Sequence, residues 1–352
     1  MLRRKKILFI VNPNSGSHSK KLILTMIDKY IDRDKYEYEI KHTQRPHHAT
    51  ELAKSASNTG VDIVCAIGGD GTVNECAKAL VHTDTAFAII PGGSGNGLAR
   101  HLHIPTDPIK AIELINEGNE CYIDYGMANC TPFFCTCGVG FDAFISMKFA
   151  ESGKRGAITY IENVFKSGLK YTPEQYELEF INDGKITKHQ YKAFLISCAN
   201  ASQYGNNAYI APQASVRDGL MDVTIIEPFN IVDAPVMAVQ LFNGTINQNL
   251  RIKTYKCKKL IINRTAPGEF HYDGEPIVTN SRVEIEIIPS ALKCICSPEE
   301  GVRELGDNLQ SMISEQFNDL RLRSEQILQS GLNTRKKRIA RINSKVIRKK
   351  NK

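Results

Sequence analysis

Apolar and polar positions in the first part of the chain alternate between short apolar runs and longer stretches whose apolar residues recur near every 3.6 positions. The short runs predict strands at Lys6–Val11, Tyr36–His42, Asp62–Ile67 and Thr85–Ile90. The longer stretches predict helices at Lys20–Tyr30, His48–Thr59, Thr72–Val81 and Pro108–Glu117. Strands that alternate with helices in this way indicate a Rossmann-like α/β layer built on a parallel sheet.

From about Asp124 the pattern changes to alternation at every second position, which is typical of antiparallel strands. The segments with this pattern are Phe133–Gly138, Tyr176–Ile181, Tyr191–Ala199, Met221–Glu227, Lys258–Asn263 and Val283–Ile288. Two predicted helices, Phe141–Ser167 and Val232–Asn243, interrupt them. The expected fold class is therefore α/β plus all-β, with the antiparallel β domain second.

The last part of the chain has a helical pattern followed by a basic tail. Apolar residues recur at helical spacing at Val302, Leu305, Leu309, Met312, Ile313, Phe317 and Leu320. Residues 335–352 hold ten Lys and Arg and no acid, so the formal net charge of +7 becomes −3 for residues 1–334. A mildly acidic body argues against a nucleic-acid partner.

The tail also suggests a membrane contact. If it is helical, its apolar residues Ile339, Ile342, Val346 and Ile347 lie near one face among the cations, as in an interfacial helix. The alternative is a solvated disordered tail or a nucleic-acid contact.

No apolar run approaches the roughly 18 residues of a membrane-spanning helix, and the N-terminal apolar run is too short for a signal peptide. The ten cysteines form no CxxC pair. We therefore expect free thiols and a cytoplasmic protein, with Cys135, Cys137, Cys294 and Cys296 as small core residues of strands.

Three of the predicted parallel strands run directly into polar or glycine-rich loops, Asn12–Ser17, Gly68–Gly71 and Gly92–Gly97. Loops that leave the carboxyl ends of parallel strands share one edge of the sheet, where ligands bind. Glycines let backbone N–H groups approach phosphate, and Asp70 among them implies a bridging magnesium ion. Neither glycine loop has the spacing of a dinucleotide-binding or P-loop fingerprint.

Two turns of the β-rich half carry acids. Glu275, in Asp273-Gly274-Glu275-Pro276, could act as a general base towards an attacking hydroxyl. The segment Ser215–Leu220 contains Asp218-Gly219, which is either an ordinary hairpin turn or a small magnesium site.

Six motifs occur in the order and approximate spacing of the diacylglycerol kinase catalytic family, which includes bacterial soluble lipid kinases, sphingosine kinases and ceramide kinases. They are Asn12-Pro13-x-Ser15-Gly16, Gly68-Gly69-Asp70-Gly71-Thr72-x-Asn74-Glu75, Pro91-x-Gly93-Ser94-Gly95-Asn96, Gly138-x-Gly140-Phe141-Asp142, Asp218-Gly219 and Asp273-Gly274-Glu275. The chain resembles this family over roughly residues 5–298.

The resemblance implies an α/β domain like those of NAD kinase and phosphofructokinase, a β-sandwich domain, and ATP in the cleft between them. The implied domains are residues 1–123 and 124–281, with a last strand, 282–298, that returns to the first domain. Residues 301–352 would follow as an amphipathic helix and basic tail.

The resemblance also implies roles for individual residues. Asp70 would serve the catalytic magnesium ion, Glu275 would be the base, and Asp273 would orient that base or join the metal network. The implied nucleotide contacts are Asn12, Pro13, Asn14, Ser15, Gly16, Thr43, Gly69, Asp70, Gly71, Thr72, Val73, Asn74, Glu75 and Ser94. Backbone oxygens of Ser215 and Leu220 with the Asp218 carboxylate would form a structural magnesium site.

The function that follows is ATP- and Mg²⁺-dependent phosphorylation of a membrane lipid hydroxyl, with diacylglycerol as the expected acceptor. Many bacterial diacylglycerol kinases have Asp where this chain has Gly97, and its Ser94-Gly95-Asn96 form resembles sphingosine kinases. A sphingoid base or ceramide is therefore an alternative acceptor. Less favoured functions are NAD kinase activity and nucleotide-binding regulation without catalysis. The helix after Gly301 could pack on the body or form a homodimer.

Overall fold

The computed structural model describes residues 3–15, 20–152, 171–230 and 233–297, which lie within one compact unit. The predicted helix after Gly301, the basic tail and Gly16 lie outside the described residues. The same holds for the part of the predicted helix Phe141–Ser167 beyond residue 152.

The N-terminal part is an α/β layer with a parallel sheet. Its strands are β1 (Lys5–Val11), β2 (Tyr36–His42), β3 (Ile63–Gly68) and β4 (Ala86–Pro91). Its helices are α1 (Lys20–Tyr30), α2 (His48–Asn58), α3 (Asp70–Leu80), α4 (Gly97–His101) and α5 (Pro108–Glu117). The strands lie in the order β2-β1-β3-β4, and all three pairings are parallel.

Local sequence explains why these elements begin and end where they do. At α5, the Asp107 carboxylate accepts hydrogen bonds from the backbone of Ile109 and Lys110, and Pro108 occupies the first helical position. Gly118 ends the helix with a φ of 71°, a conformation that glycine adopts without steric cost. Strands β3 and β4 are buried at every residue, as expected for parallel strands covered on both faces.

The rest of the described chain is mainly antiparallel. Its strands are β5 (Glu120–Ala128), β6 (Thr131–Phe133), β7 (Thr136–Gly140), β8 (Glu174–Asn182), β9 (Lys185–Ala193), β10 (Leu195–Ala199), β11 (Met221–Ile226), β12 (Ile252–Cys257), β13 (Lys259–Arg264), β14 (Gly268–Tyr272), β15 (Glu275–Thr279) and β16 (Arg282–Ile295). Two helices complete it, α6 (Phe141–Ser152) and α7 (Ala234–Phe242), with a short 3₁₀ turn at Ile246–Gln248.

The described strands form two sheets. The first sheet contains strands of both the α/β layer and the β-rich half. Its strand order is β2-β1-β3-β4-β16-β13-β8-β9, with β5 paired to β16 and β6 paired to β5. The second sheet has the order β12-β11-β10-β7-β14-β15. A core of apolar side chains from both sheets, including Phe133, Leu178, Val223, Leu260 and Phe270, is shared between them.

The fold class predicted from the sequence is confirmed. Helices α1 and α5 have the predicted bounds, and the four parallel strands lie within one residue of theirs. The alternating segment Phe133–Gly138 spans two strands, β6 and β7, and Tyr191–Ala199 divides between β9 and β10. Strands β5, β12, β14 and β15 and helix α4 were not foreseen.

The expectation that the thiols are free is wrong for two cysteines. Cys121 and Cys296 form a disulfide, and the other eight cysteines are free. Cys294 lies opposite Cys121 in the β5–β16 pairing, so this pairing brings the end of β16 beside the start of β5. Cys137 and Cys294 are buried core residues, as predicted, and Cys135 is partly buried.

None of the described helices has both the length and the apolar character needed to cross a bilayer.

Candidate active site

The carboxyl ends of β1, β3 and β4 bring the three polar loops together. The backbone N–H of Asn12 donates to the Ile67 oxygen at 3.1 Å, and that of Gly92 donates to the Gly68 oxygen at 2.8 Å. The Asn12 amide also donates to Thr72 Oγ1 at 3.1 Å, which links the first loop to the start of α3. The structure therefore forms the shared loop edge that the sequence predicts.

Glycine is required where the second and third loops touch. A β-carbon at Gly93 would lie 2.5 Å from the Gly69 Cα, and one at Gly95 would lie 2.7 Å from Asp70 Oδ2. Side chains at these positions would push the loops apart. The close contact leaves a surface of backbone rather than side chains, which suits the approach of a phosphate chain.

Asp70 joins the two glycine loops electrostatically. Its Oδ2 accepts from Asn96 N at 3.0 Å, and its Oδ1 accepts from Gly97 N at 2.7 Å, at the start of α4. A carboxylate has about four acceptor positions, so two bonds leave acceptor capacity for a cation. Magnesium in nucleotide sites commonly uses one or two carboxylates together with substrate phosphates, and Asp70 fits that donor set.

The remaining first-loop residues fold around Asn12. Its side-chain oxygen accepts from Asn14 N at 3.0 Å, and its backbone oxygen accepts from Ser15 Oγ at 3.0 Å. Thr43, at the end of β2, lies beside the loop because its N–H donates to the Val11 oxygen at 2.9 Å. Pro13 is exposed in the same turn, and Ser94 is exposed in the third loop.

Residues at the start of α3 have different surroundings. Thr72 and Val73 are buried, and Gly71 is exposed. The Glu75 carboxylate accepts from the backbone of His47 and Ala49, each at 3.1 Å, and so caps the start of α2. Its visible partners are therefore protein groups at the neighbouring helix. Its predicted nucleotide contact stays a prediction.

Asn74 connects α3 to the β-rich half. Its amide donates to Asp273 Oδ2. The same carboxylate accepts from Phe134 N at 2.8 Å, Cys135 N at 2.7 Å and Thr136 N at 3.1 Å. Burial raises the pKa of the Asp273 carboxyl, while the three backbone donors favour its ionised form.

The turn that contains Asp273 presents Glu275. Asp273 and Gly274 have positive φ values of 48° and 82°, which form the tight turn between β14 and β15. Glu275 is exposed and lies opposite Tyr272 in the hairpin. The Lys78 ammonium of α3 lies 4.8 Å from the centre of the Tyr272 ring.

Asp70 and Glu275 are therefore linked through helix α3, one hydrogen bond and the Asp273 turn. Asp70 and Asn74 are four residues apart on α3 and so lie on the same helical face. Asn74 binds Asp273, two residues before Glu275. The predicted metal residue and the predicted base belong to one structural arrangement, although they are distant in sequence.

The predicted structural magnesium site shows a different partner. Asp218 Oδ2 lies 2.7 Å from the Lys256 ammonium, and Asp218 Oδ1 accepts from Leu220 N at 3.0 Å. Ser215 Oγ accepts from Arg217 N at 3.2 Å. Since a lysine already compensates the carboxylate, the side chains present do not favour a cation here, and the site stays a prediction. Within residues 3–15, 20–152, 171–230 and 233–297, no cluster of three or more His, Cys, Asp or Glu could hold a metal ion.

The sequence did not predict a cluster of polar side chains that includes buried residues of and beside the β14–β15 hairpin. His271 on β14 lies 3.0 Å from Asp142 Oδ2 through Nε2, and Tyr204 Oη donates to the same oxygen at 3.2 Å. Asn206 N, near Tyr204, donates to the Gly95 oxygen at 3.1 Å. Asp142 belongs to a recognised motif, but His271 and the loop around Tyr204 carry no signal that a single sequence would reveal.

Comparisons with known proteins agree with this geometry. Residues 6–128 match the model of the diacylglycerol kinase catalytic domain, and residues 135–296 match that of the YegS C-terminal NAD kinase beta sandwich-like domain. The diacylglycerol kinase of Bacillus subtilis is 28% identical over 276 residues, which cover 77% of this chain and 90% of that protein. The probable lipid kinase YegS of an Escherichia coli strain is 29% identical over 269 residues, which cover 74% of this chain and 86% of that protein.

A solved structure shows the same fold. The crystal structure of a diacylglycerol kinase from Bacillus anthracis matches with a TM-score of 0.63 at 23% sequence identity and covers 85% of this chain and 99% of that one. The two matched domains account for most of residues 6–296. The chain therefore belongs to the diacylglycerol kinase catalytic family and is a phosphotransferase of the lipid kinase type, with an alcohol group as acceptor.

Proposed function

We propose that this lipid kinase transfers the γ-phosphoryl group of Mg-ATP to the hydroxyl group of diacylglycerol. The main support is the hydrogen bond between Asn74 and Asp273, because it holds the Glu275 turn against the helix that begins with Asp70. The turn of the potential base is thereby held beside the helix that starts at the proposed anion-binding edge. The B. subtilis relative named diacylglycerol kinase favours diacylglycerol as acceptor.

In this proposal each residue has a separate task. The glycine loops bind the phosphate chain, and Asp70 holds the magnesium ion of Mg-ATP, which would offset charge on the transferred group. Glu275 receives the proton of the attacking lipid hydroxyl. Asp273 fixes the turn and so positions Glu275, since its own carboxylate is occupied by four donors.

One observation favours a second acceptor class. The Gly97 N–H donates to Asp70, and a β-carbon at Gly97 would lie 3.3 Å from Cys135 Sγ and 3.4 Å from the Tyr204 oxygen. The aspartate found here in many bacterial diacylglycerol kinases would crowd these neighbours. Because Gly97 departs from that aspartate, a sphingoid base or ceramide is the second candidate acceptor.

We also propose a cytoplasmic protein that associates peripherally with the membrane. The support is the sequence of residues 335–352, in which basic residues could each contribute about 1 kcal/mol near an anionic surface. We further propose a homodimer through residues 301–320, which light scattering at several protein concentrations would detect.

The acceptor is tested with a lipid panel. Radiolabelled ATP is supplied with diacylglycerol, sphingosine, ceramide or NAD, and products are separated by thin-layer chromatography. We expect labelled phosphatidic acid, with the Glu275→Gln variant as the background control. A product only from sphingosine or ceramide would support the second candidate, and a product only from NAD would overturn the lipid acceptor.

The Glu275→Gln substitution removes the proposed base while keeping the side-chain shape. We expect lipid phosphorylation to fall about a hundredfold or more, because a positioned base contributes at least that much, whereas ATP affinity stays near that of the parent protein. Glu113→Gln, at an exposed position of α5, is the matched control and should keep full activity. Retention of more than about a tenth of the activity by Glu275→Gln would contradict the assignment.

The Asp70→Asn substitution removes the proposed magnesium ligand. We expect the Mg²⁺ concentration for half-maximal activity to rise at least roughly tenfold, since even indirect supports of a metal site cost that much when lost. Asp34→Asn, in an exposed turn, is the matched control. An unchanged Mg²⁺ titration for Asp70→Asn would show that this carboxylate does not hold the ion.

Deletion of residues 335–352 tests the membrane role of the tail. We expect binding to anionic liposomes, and activity on them, to decrease while activity on detergent-dispersed lipid is kept, because only the first assay needs surface attraction. Added salt should reduce liposome binding of the full chain but have little effect on the truncated one. Equal loss of activity in both assays would count against a membrane role.

A further inference from the structure

Lys20 reaches the loop edge from a position that the motifs do not include. It is the first residue of α1, and its ammonium group lies 3.5 Å from the Gly92 oxygen. A β-carbon at Gly92 would lie only 2.6 Å from Lys20 Nζ and 3.5 Å from the Gly68 backbone. The cation therefore lies over the point where the loops after β3 and β4 meet.

Among the residues that the structure describes, Lys20 has no carboxylate partner. Within the part of the chain that the structure describes, no carboxylate lies at ion-pair distance from Lys20, and its polar contact is the Gly92 carbonyl. Burial lowers the pKa of Lys20. By contrast, the pKa of Lys5 is raised through its hydrogen bond to Glu120, and that of Lys259 through Glu284.

A partly buried cation without a carboxylate is unfavourable unless an anion binds next to it. The surroundings favour phosphate in particular. Gly92 and Gly93 place bare backbone beside the ammonium, and a lysine on a flexible stem is a common point-charge partner of phosphate groups. Asp70, which is hydrogen-bonded to the third loop, would hold the metal ion that lets phosphates approach a carboxylate.

We propose that Lys20 is a phosphate-binding residue that contacts the phosphate chain of the bound nucleoside triphosphate. This inference rests on the proposed use of ATP and adds a residue outside the recognised motifs. The phosphate group of the lipid product could bind an ammonium in the same way as a nucleotide phosphate. The nucleotide is favoured because Lys20 contacts the loop edge of the parallel sheet rather than the hairpin that carries Glu275.

The chain provides a matched pair for the experiment. Lys20→Met removes the half-buried ammonium with little change in side-chain volume, and Lys21→Met removes the same charge one residue away at an exposed position. Binding of ATP, ADP and adenosine to the full chain is measured by calorimetry in the presence of Mg²⁺. Thermal unfolding of both variants verifies that they are folded.

We expect Lys20→Met to weaken ATP binding roughly tenfold to a hundredfold, the usual effect of losing a hydrogen bond to a charged group, and to leave adenosine binding unchanged. Lys21→Met should match the parent protein, and Lys20→Arg should restore part of the ATP affinity. In the kinase assay, Lys20→Met should raise the KM for ATP more than it lowers kcat.

The outcomes separate this inference from the proposed function. Equal ATP affinity of the parent protein and Lys20→Met overturns the role of Lys20 and leaves the kinase proposal intact. If Lys20→Met is less inhibited by the lipid phosphate product but binds ATP as tightly as the parent protein, the proposed role is also overturned. Lys20 would then contact the product instead of the nucleotide. A parent protein that binds no ATP and phosphorylates no lipid overturns both. If Lys20→Met does not fold, an unchanged ATP affinity for Lys20→Ala would count against the role in the same way.

Discussion

The Asp273 carboxylate is the interaction on which the arrangement of the site depends. It accepts three backbone hydrogen bonds from residues 134–136 and one from Asn74, so a single charged group binds a turn of the β-rich half and a helix of the α/β layer. Hydrogen bonds to a charged group contribute about 1.5–3 kcal/mol each, and removal of one partner leaves a poorly solvated charge. The position of Glu275 relative to Asp70 is therefore fixed by electrostatics as well as by packing.

A second constraint acts at the glycine loops. Gly69 and Gly93 touch through their backbones, and Asp70 takes the two N–H groups of Asn96 and Gly97. The loop thus carries an internal negative charge at the place where phosphates would bind. Next to this carboxylate a phosphate ester needs a nearby cation, which in our proposals is the magnesium ion at Asp70 or the Lys20 ammonium. This arrangement supports the proposal that the nucleotide binds together with Mg²⁺.

Local rules explain how much of this could be predicted from the sequence. Helix α5 was predicted within its observed bounds because Asp107, Pro108 and Gly118 mark both ends chemically. The loop edge was predicted because the loops that follow parallel strands all lie at the same edge of the sheet. Strand β5 was not foreseen because its partner is β16, more than 150 residues later, and the Cys121–Cys296 bond spans 175 residues. Lys20 resembles any polar helix start in sequence, and only the three-dimensional contact with Gly92 distinguishes it from Lys21.

The course of β16 has a consequence for how the molecule is made. This strand pairs antiparallel with β5 along most of its length and lies next to β4, near the end of the described chain. During synthesis, residues 6–128 lack this neighbouring strand until residue 295 has been made. Until then β5 and β4 present open edges, which are prone to intermolecular pairing. Residues 6–128 match a family domain, yet the strand that pairs with β5 lies far beyond them, so the two halves complete one sheet together.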